Sequence, residues 1–335
     1  MIRRRAYVIA GCIVAIMAVL PLITGDDTYT MRLLLISMVW GGLALSWDLQ
    51  LGYAGVFNLG QVGFFVCGAY ASGMLTIYAG VSPWLGMVAG AAVGGLIAVA
   101  LGMACLRLTG IYIALLTLAF FEVLGPLLTV GRPWGTGGKS GLLPIPPLSW
   151  GGQPFSVYDP LQWYYVALGL LIVSMIVVVV VVRSRIGRGF IALRDSESLA
   201  QALGVDRFRS SLAVVGISGA LAGLLGAFYA SYQGVLSPRL LGLDLFLFLI
   251  IAIIAGGVGK FPGAVIGAIA VTFVTDSLRP TGTYRLLILG VLVVVLVMFL
   301  PAGAMGGLDS ATARIKRWRT RRARPPVVDV DLKEP

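Results

Sequence analysis

Apolar residues fill the chain in runs of about 20, the length that crosses a bilayer as a helix. Polar or Gly/Pro-rich breaks separate them. Ten runs stand out, at about 6–24, 32–48, 60–79, 84–105, 111–130, 161–182, 210–231, 241–258, 263–279 and 285–301. The pattern predicts an all-α integral membrane protein, a polytopic bundle of about ten transmembrane helices. Residues 1–301 form its membrane domain and 302–335 a basic tail that reads as disordered. The runs at 241–258 and 263–279 are the least regular. Gly256, Gly257 and the stretch 259–263 fit a broken or re-entrant segment as well.

The breaks carry an orientation. Cytoplasmic segments are enriched in Lys and Arg. With the N-terminus inside, ten spans place 49–59, 106–110, 183–209, 259–262 and 302–335 inside, and with 1–5 these hold 19 of the 25 basic residues. The opposite orientation inverts the bias. A basic start before an apolar run also fits a signal peptide, but the run is long and no A-x-A site follows, so the first helix is expected to be retained.

Composition sharpens this picture. The chain is 59% apolar and 12% charged, against roughly 25% charged in soluble domains. Its 45 glycines suit membrane helices that pack backbone to backbone through small residues. Cys12, Cys67 and Cys105 lack metal-ligand spacing and there is no histidine. Neither a zinc site, a disulfide framework nor a His-activated nucleophile is expected.

Residues 135–140, GTGGKS, match the end of the phosphate loop G-x-x-x-x-G-K-[ST], but Pro133 stands where its first glycine belongs. The segment falls in the external loop at about 131–160, where no strand precedes it and no helix follows. Its plain reading is a structured loop of tight turns; docking of an external partner is the sharper one.

The longest internal loop, about 184–209, has helical grammar. Asp195 or Ser196 can cap a helix, Glu197 lies in its first turn, and Gly204 supplies a stop. Leu199, Ala200, Ala202 and Leu203 make one small apolar face, and Phe190, Ile191 and Leu193 another. Two short helices across the cytoplasmic face are expected. Such apolar surface needs a cover, which favours a docking element over a merely solvated basic loop.

The stretch IGRGFIALRDSESLAQALGVD resembles the coupling loop of the branched-chain amino acid ABC transporter permease family, of the LivM type. Ile186, Gly187, Arg188, Ala192, Leu193, Arg194, Asp195, Glu197, Ala200, Ala202, Leu203 and Gly204 match, while Gln201 replaces a usual glutamate. LGYAGVFNLGQVGFFVCGAYASGML (51–75) is similar to another family block, with Asn58 and Gln61 in place of a serine and a histidine. Blocks at 107–124, 136–146, 256–268 and 300–308 add to the resemblance.

The resemblance implies one permease subunit of an ABC importer for branched-chain or hydrophobic amino acids, in a bacterial inner membrane, working by alternating access. Related permeases serve urea and short amides. The implied partners are a second homologous permease, two ABC ATPase subunits and an extracytoplasmic solute-binding protein. No cofactor is expected in this chain, because ATP-Mg would be bound by the ATPases. The ATPase-coupling residues it implies are Gly187, Arg188, Arg194, Asp195, Glu197, Ala200, Ala202 and Gly204.

For the translocation path, Glu122 reads as the only acid deep within a span, and such a residue is a functional candidate. It orients an ammonium group or acts as a hydrogen-bonded lock; both readings stand. Asn58, Gln61, Tyr70 and Thr117 either line the path with it or bond between helices. Phe64, Phe65, Phe120 and Phe121 read as packing. A stand-alone proton-coupled transporter titrating Glu122 is the competing class, and it leaves the 184–209 loop unexplained. The tail at 312–326 carries seven basic residues and one tryptophan, which fits contact with anionic lipid headgroups better than nucleic acid.

Overall fold

The computed structural model describes residues 4–24, 27–105, 108, 110–151, 153–156, 160–282, 284–299 and 303–307. The first five helices are α1 (Arg4–Thr24), α2 (Thr28–Asp48), α3 (Gln61–Tyr78), α4 (Pro83–Cys105) and α5 (Ile111–Val130). After the loop at 131–160 come α6 (Leu161–Arg183), two short helices α7 (Arg185–Asp195) and α8 (Glu197–Ala202), and α9 (Arg207–Gln233). The last three are α10 (Leu243–Gly256), α11 (Gly263–Ser277) and α12 (Tyr284–Phe299).

Helices occupy every predicted apolar run. Among the described residues, six are long and apolar enough to cross a membrane: α1, α2 with the turn that extends it, α4, α5, α6 and α9. The weakest runs became α10 and α11, of 14 and 15 residues. At 1.5 Å per residue they reach only about 21–23 Å, short of the hydrocarbon core. A tight turn at 257–262 joins them, and the backbones meet so closely that a Cβ on Gly256, Gly263 or Gly267 would overlap the facing carbonyls.

α2 is the centre of the bundle and packs against α6, α9 and α11. Its start is capped by Asp27, whose carboxylate accepts from the backbone N–H groups of Tyr29 and Thr30 and from the Thr30 hydroxyl. These bonds, the hydroxyl's foremost, hold the Asp27 carboxyl below its ordinary range.

The tightest packing joins α3, α4 and α9. Along α4 a small residue recurs every fourth position, Gly86, Gly90, Gly94, Ala98 and Gly102, and this stripe is its buried face. It lies on Gly219 and Gly223 of α9, and Gly68 of α3 meets Gly223 and Gly90 at the same junction. A Cβ on Gly94 would stand 2.6 Å from the Gly219 carbonyl oxygen and 2.8 Å from Gly223 Cα. With apolar lipid outside, such close backbone approach supplies the van der Waals contact that holds helices together.

The 131–160 loop caps one end of the bundle. Residues 149–150 and 153–154 form a two-residue antiparallel ribbon, and Leu142 pairs with Leu236 after α9. GTGGKS folds into tight turns at the end of α5, with Gly135, Gly137 and Gly138 in the left-handed region and Lys139 exposed. Lys139 and Ser140 lie in a single 3-10 turn that ends at Gly141 (φ +77), rather than at the start of the α-helix that a phosphate loop feeds. The basic tail at 312–326 lies outside the described residues.

Candidate functional site

The site begins where α2 fails. Beyond Asp48 the helix loosens into a π-helical turn, Leu49–Tyr53, and then an extended stretch to Gly60 before α3 starts. Gly55 takes φ +68 and lets the chain reverse. The stretch is short of backbone partners, and side chains replace them. Trp47 Nε1 donates to the Asn58 carbonyl at 2.7 Å, and Leu59 N–H donates to Thr117 Oγ1 at 2.9 Å.

A buried polar chain runs through this break. Asn58 Nδ2 donates to Gln50 Oε1 at 2.9 Å, and Gln50 Nε2 donates to Gln61 Oε1 at 2.9 Å. Gln61 Nε2 then donates to Ser46 Oγ at 2.8 Å and to the Ser218 carbonyl at 3.3 Å. Ser218 Oγ returns to the Ser46 carbonyl. The network ties α2, α3 and α9 together, and all its side chains are almost wholly buried.

Its members satisfy one another, so removing one leaves the others unpaired at about 1–3 kcal/mol each. Replacing Gln61 with methionine is therefore expected to lower the thermal midpoint of the detergent-solubilised protein clearly. An unchanged midpoint with impaired transport would make Gln61 a path residue rather than a lock.

Below this chain lies a second junction. Asp48 is fully buried, and its Oδ1 accepts from Gly259 N–H at 2.8 Å. Tyr53 Oη accepts from Phe261 N–H at 2.8 Å. Gly52 touches Gly259 so closely that a side chain would displace the 257–262 turn. Arg194, at the end of α7, donates from one terminal nitrogen to the Gly52 carbonyl at 2.5 Å and from the other to Asp195 at 2.9 Å. Its Cγ fills the space a Cβ on Gly55 would need. The α7 end, the α2 break and the α10–α11 turn thus meet at one point.

The 184–209 segment forms two short helices with different surroundings. Ser184 caps α7 by accepting from Gly187 N–H at 3.1 Å, and Phe190 and Leu193 bury that helix in the bundle. Gly187 lies against the Val181 and Val182 carbonyls, where no side chain fits. Arg188 is exposed and donates to the Arg183 carbonyl. On α8 Ala200 is buried, whereas Ala202 is exposed and Leu199 and Leu203 are 62% and 76% exposed. Ser196 stands before α8 without a side-chain capping bond. Gly204 ends the segment at φ +84, a conformation that side chains resist. Glu197 pairs with Arg207 of α9 at 3.1 Å.

The structure divides the residues expected along a path. Asn58, Gln61 and Thr117 come together at the break. Tyr70 is buried farther along α3, with no hydrogen-bond partner for its hydroxyl among the described residues. Glu122 does not join them: it lies on the exposed face of α5. The acid sealed within the bundle is Asp48 instead. Depth along a helix does not determine which face a side chain occupies, and Asp48 ends its run where an acid ordinarily meets water. Gln50, Ser46, Ser218 and Arg207 were also missed; the signal for the first was the polar interruption in SWDLQLG.

Six membrane-length apolar helices among the described residues, packed around a polar lock at a broken helix, define a multi-pass membrane protein. The profile described as the branched-chain amino acid transport system / permease component matches residues 29–300, and the chain belongs to that family. It is 30% identical over 301 residues to the high-affinity branched-chain amino acid transport system permease protein LivM of Escherichia coli K12, covering 82% of this chain and 70% of that one. It is likewise 30% identical over 290 residues to LivM of Salmonella typhimurium LT2, covering 80% and 68% respectively. No solved structure matches the chain.

Proposed function

We propose that the chain is one of two permease subunits of an ABC importer that carries branched-chain or other hydrophobic amino acids inward across a bacterial inner membrane. The bundle has about ten spans, both termini are cytoplasmic, and separate ATPases supply the energy. The observation that carries this reading is the two-helix segment. α7 is anchored by Phe190 and Leu193, while the next turn offers Leu199 and Leu203 to a partner. That is a handle fixed to the bundle at one end and free to dock at the other.

Arg194 gives the handle its grip. It reaches the α2 break and, through Gly52, the turn that Asp48 holds. A shift of α7 then moves two irregular membrane segments together. The polar network beside the break keeps it rigid between states, so displacement is passed on rather than absorbed.

The second permease covers α5. Glu122 shares that helix's exposed surface with Leu115 and Val123, and a carboxyl facing hydrocarbon is costly. A second permease, with the path along the interface, gives that carboxyl a polar setting. An extracytoplasmic binding protein delivers substrate.

The test is a mild-detergent pull-down of the tagged chain, with identification of partners and an ATPase assay on the eluate. An ATPase and a second permease are expected, with hydrolysis stimulated by a binding protein loaded with leucine. A homo-oligomer that lacks ATPase activity and transports under a proton gradient would overturn the proposal.

A further inference from the structure

At the end of α2 away from Asp48 the bundle opens into a funnel. It occupies about 460 Å³ between the ends of α2, α9, α10 and α11. Arg32, Asp244, Asp276 and Arg279 line its mouth, and Trp40 and Phe248 its deeper part. Eight residues of α2 separate Arg32 from Trp40, a depth of about 12 Å.

The lining changes character along that depth. Asp276 lies between two mouth residues, accepting from the Tyr29 hydroxyl at 2.5 Å and pairing with Arg279 at 2.8 Å. Both signs of charge therefore stand at the entrance. The floor is aromatic: Trp40 lies 5.3 Å from Tyr229 and 6.3 Å from Phe248, centroid to centroid. Thr275 lines the wall, 5% exposed, and its hydroxyl has no hydrogen-bond partner among the described residues. A buried unpaired hydroxyl is costly unless something in the cavity bonds to it.

We propose that this funnel is a binding site for a free amino acid with an apolar side chain, entered from the face opposite α7 and α8. The ammonium and carboxylate groups sit among the mouth charges, and the hydrocarbon side chain points to Trp40 and Phe248. A volume of this size is ordinary for a small-molecule site. The choice of an amino acid as occupant rests on the function proposed above. The site itself lies inside this one chain, apart from the α5 surface assigned to the second permease.

The experiment measures equilibrium binding of radiolabelled L-leucine to the full chain in lipid nanodiscs. Competition uses 3-methylbutylamine and 4-methylpentanoate, which lack the carboxylate and the ammonium group. Leucine is expected to bind at least tenfold more tightly than either. Asp276→Asn, which weakens the mouth, and Thr272→Leu, which fills the cavity at a second lining residue one turn of α11 from Thr275, are each expected to reduce binding at least tenfold while the gel-filtration profile is kept. Absent leucine binding, or equal affinity in wild type and Thr272→Leu, overturns the site. So does a co-purifying phospholipid that leucine cannot displace. Leucine uptake by the complete assembly is measured in parallel. Uptake without binding to this chain removes the funnel and leaves the importer, whereas binding without uptake does the reverse.

Discussion

Gly223→Leu is expected to abolish recovery of monodisperse protein, and Gly223→Ala to cost about 1–3 kcal/mol, the usual penalty of overpacking. A Cβ at this position would overlap the Gly90 carbonyl oxygen and stand 3.0 Å from Gly94 Cα. The obstruction is backbone, which cannot rotate away as a side chain can. Gly68 of α3 touches Gly223 as well, and its carbonyl oxygen would stand 2.8 Å from a Cβ on Gly90. The three backbones meet at this point, so a side chain here would push all three apart. Fluorescence-detected gel filtration and thermal midpoints in detergent measure the effect. Gly169 and Gly290, where nothing lies within 4 Å of an added Cβ, should tolerate alanine with little change. A Gly223→Leu chain that runs and melts like wild type would mean that the α3–α4–α9 seam is not what holds the bundle.

The second large effect is expected at Arg194. A hydrogen bond from a charged donor is worth about 1.5–3 kcal/mol, equivalent to roughly a ten- to hundredfold change in an equilibrium. Arg194→Ala removes the bond to the Gly52 carbonyl and empties the space beside Gly55, while Phe190 and Leu193 still anchor α7. In the assembly with ATPases proposed above, this variant is expected to keep basal ATP hydrolysis and lose at least tenfold in solute moved per ATP. Arg194→Lys should recover part of that ratio, since one ammonium group can reach one carbonyl without the fork that also holds Asp195. Parallel measurement of uptake and phosphate release separates the outcomes. A fall in both rates together would make Arg194 a folding residue. An unchanged ratio would leave α7 to act through its apolar anchors alone.

Much of this architecture was legible in the sequence, because lipid imposes length and apolarity on every crossing segment. The two short helices between α6 and α9 were legible for another reason: Glu197 and Gly204 are local signals that act within a few residues. What stayed hidden depends on the third dimension. The four-residue spacing of small residues along α4 can be read off the chain, but nothing in it names α9 as the partner. Asn58, Gln61 and Thr117 stood out as polar groups in apolar surroundings, yet the bonds of the first two to Gln50 and of Thr117 to the Leu59 N–H arise only because α2 breaks and folds back. Asp48, of which nothing was expected, takes the buried place expected of Glu122, because a one-dimensional pattern gives depth along a helix and not the direction a side chain faces.

The bare leucines on α8 and just past its end have a meaning beyond transport. By itself the chain leaves Leu199 and Leu203 each more than half uncovered. In the assembly proposed above a partner would cover both, so a copy without that partner keeps a bare apolar tip, the kind of surface that drives association with the wrong neighbour.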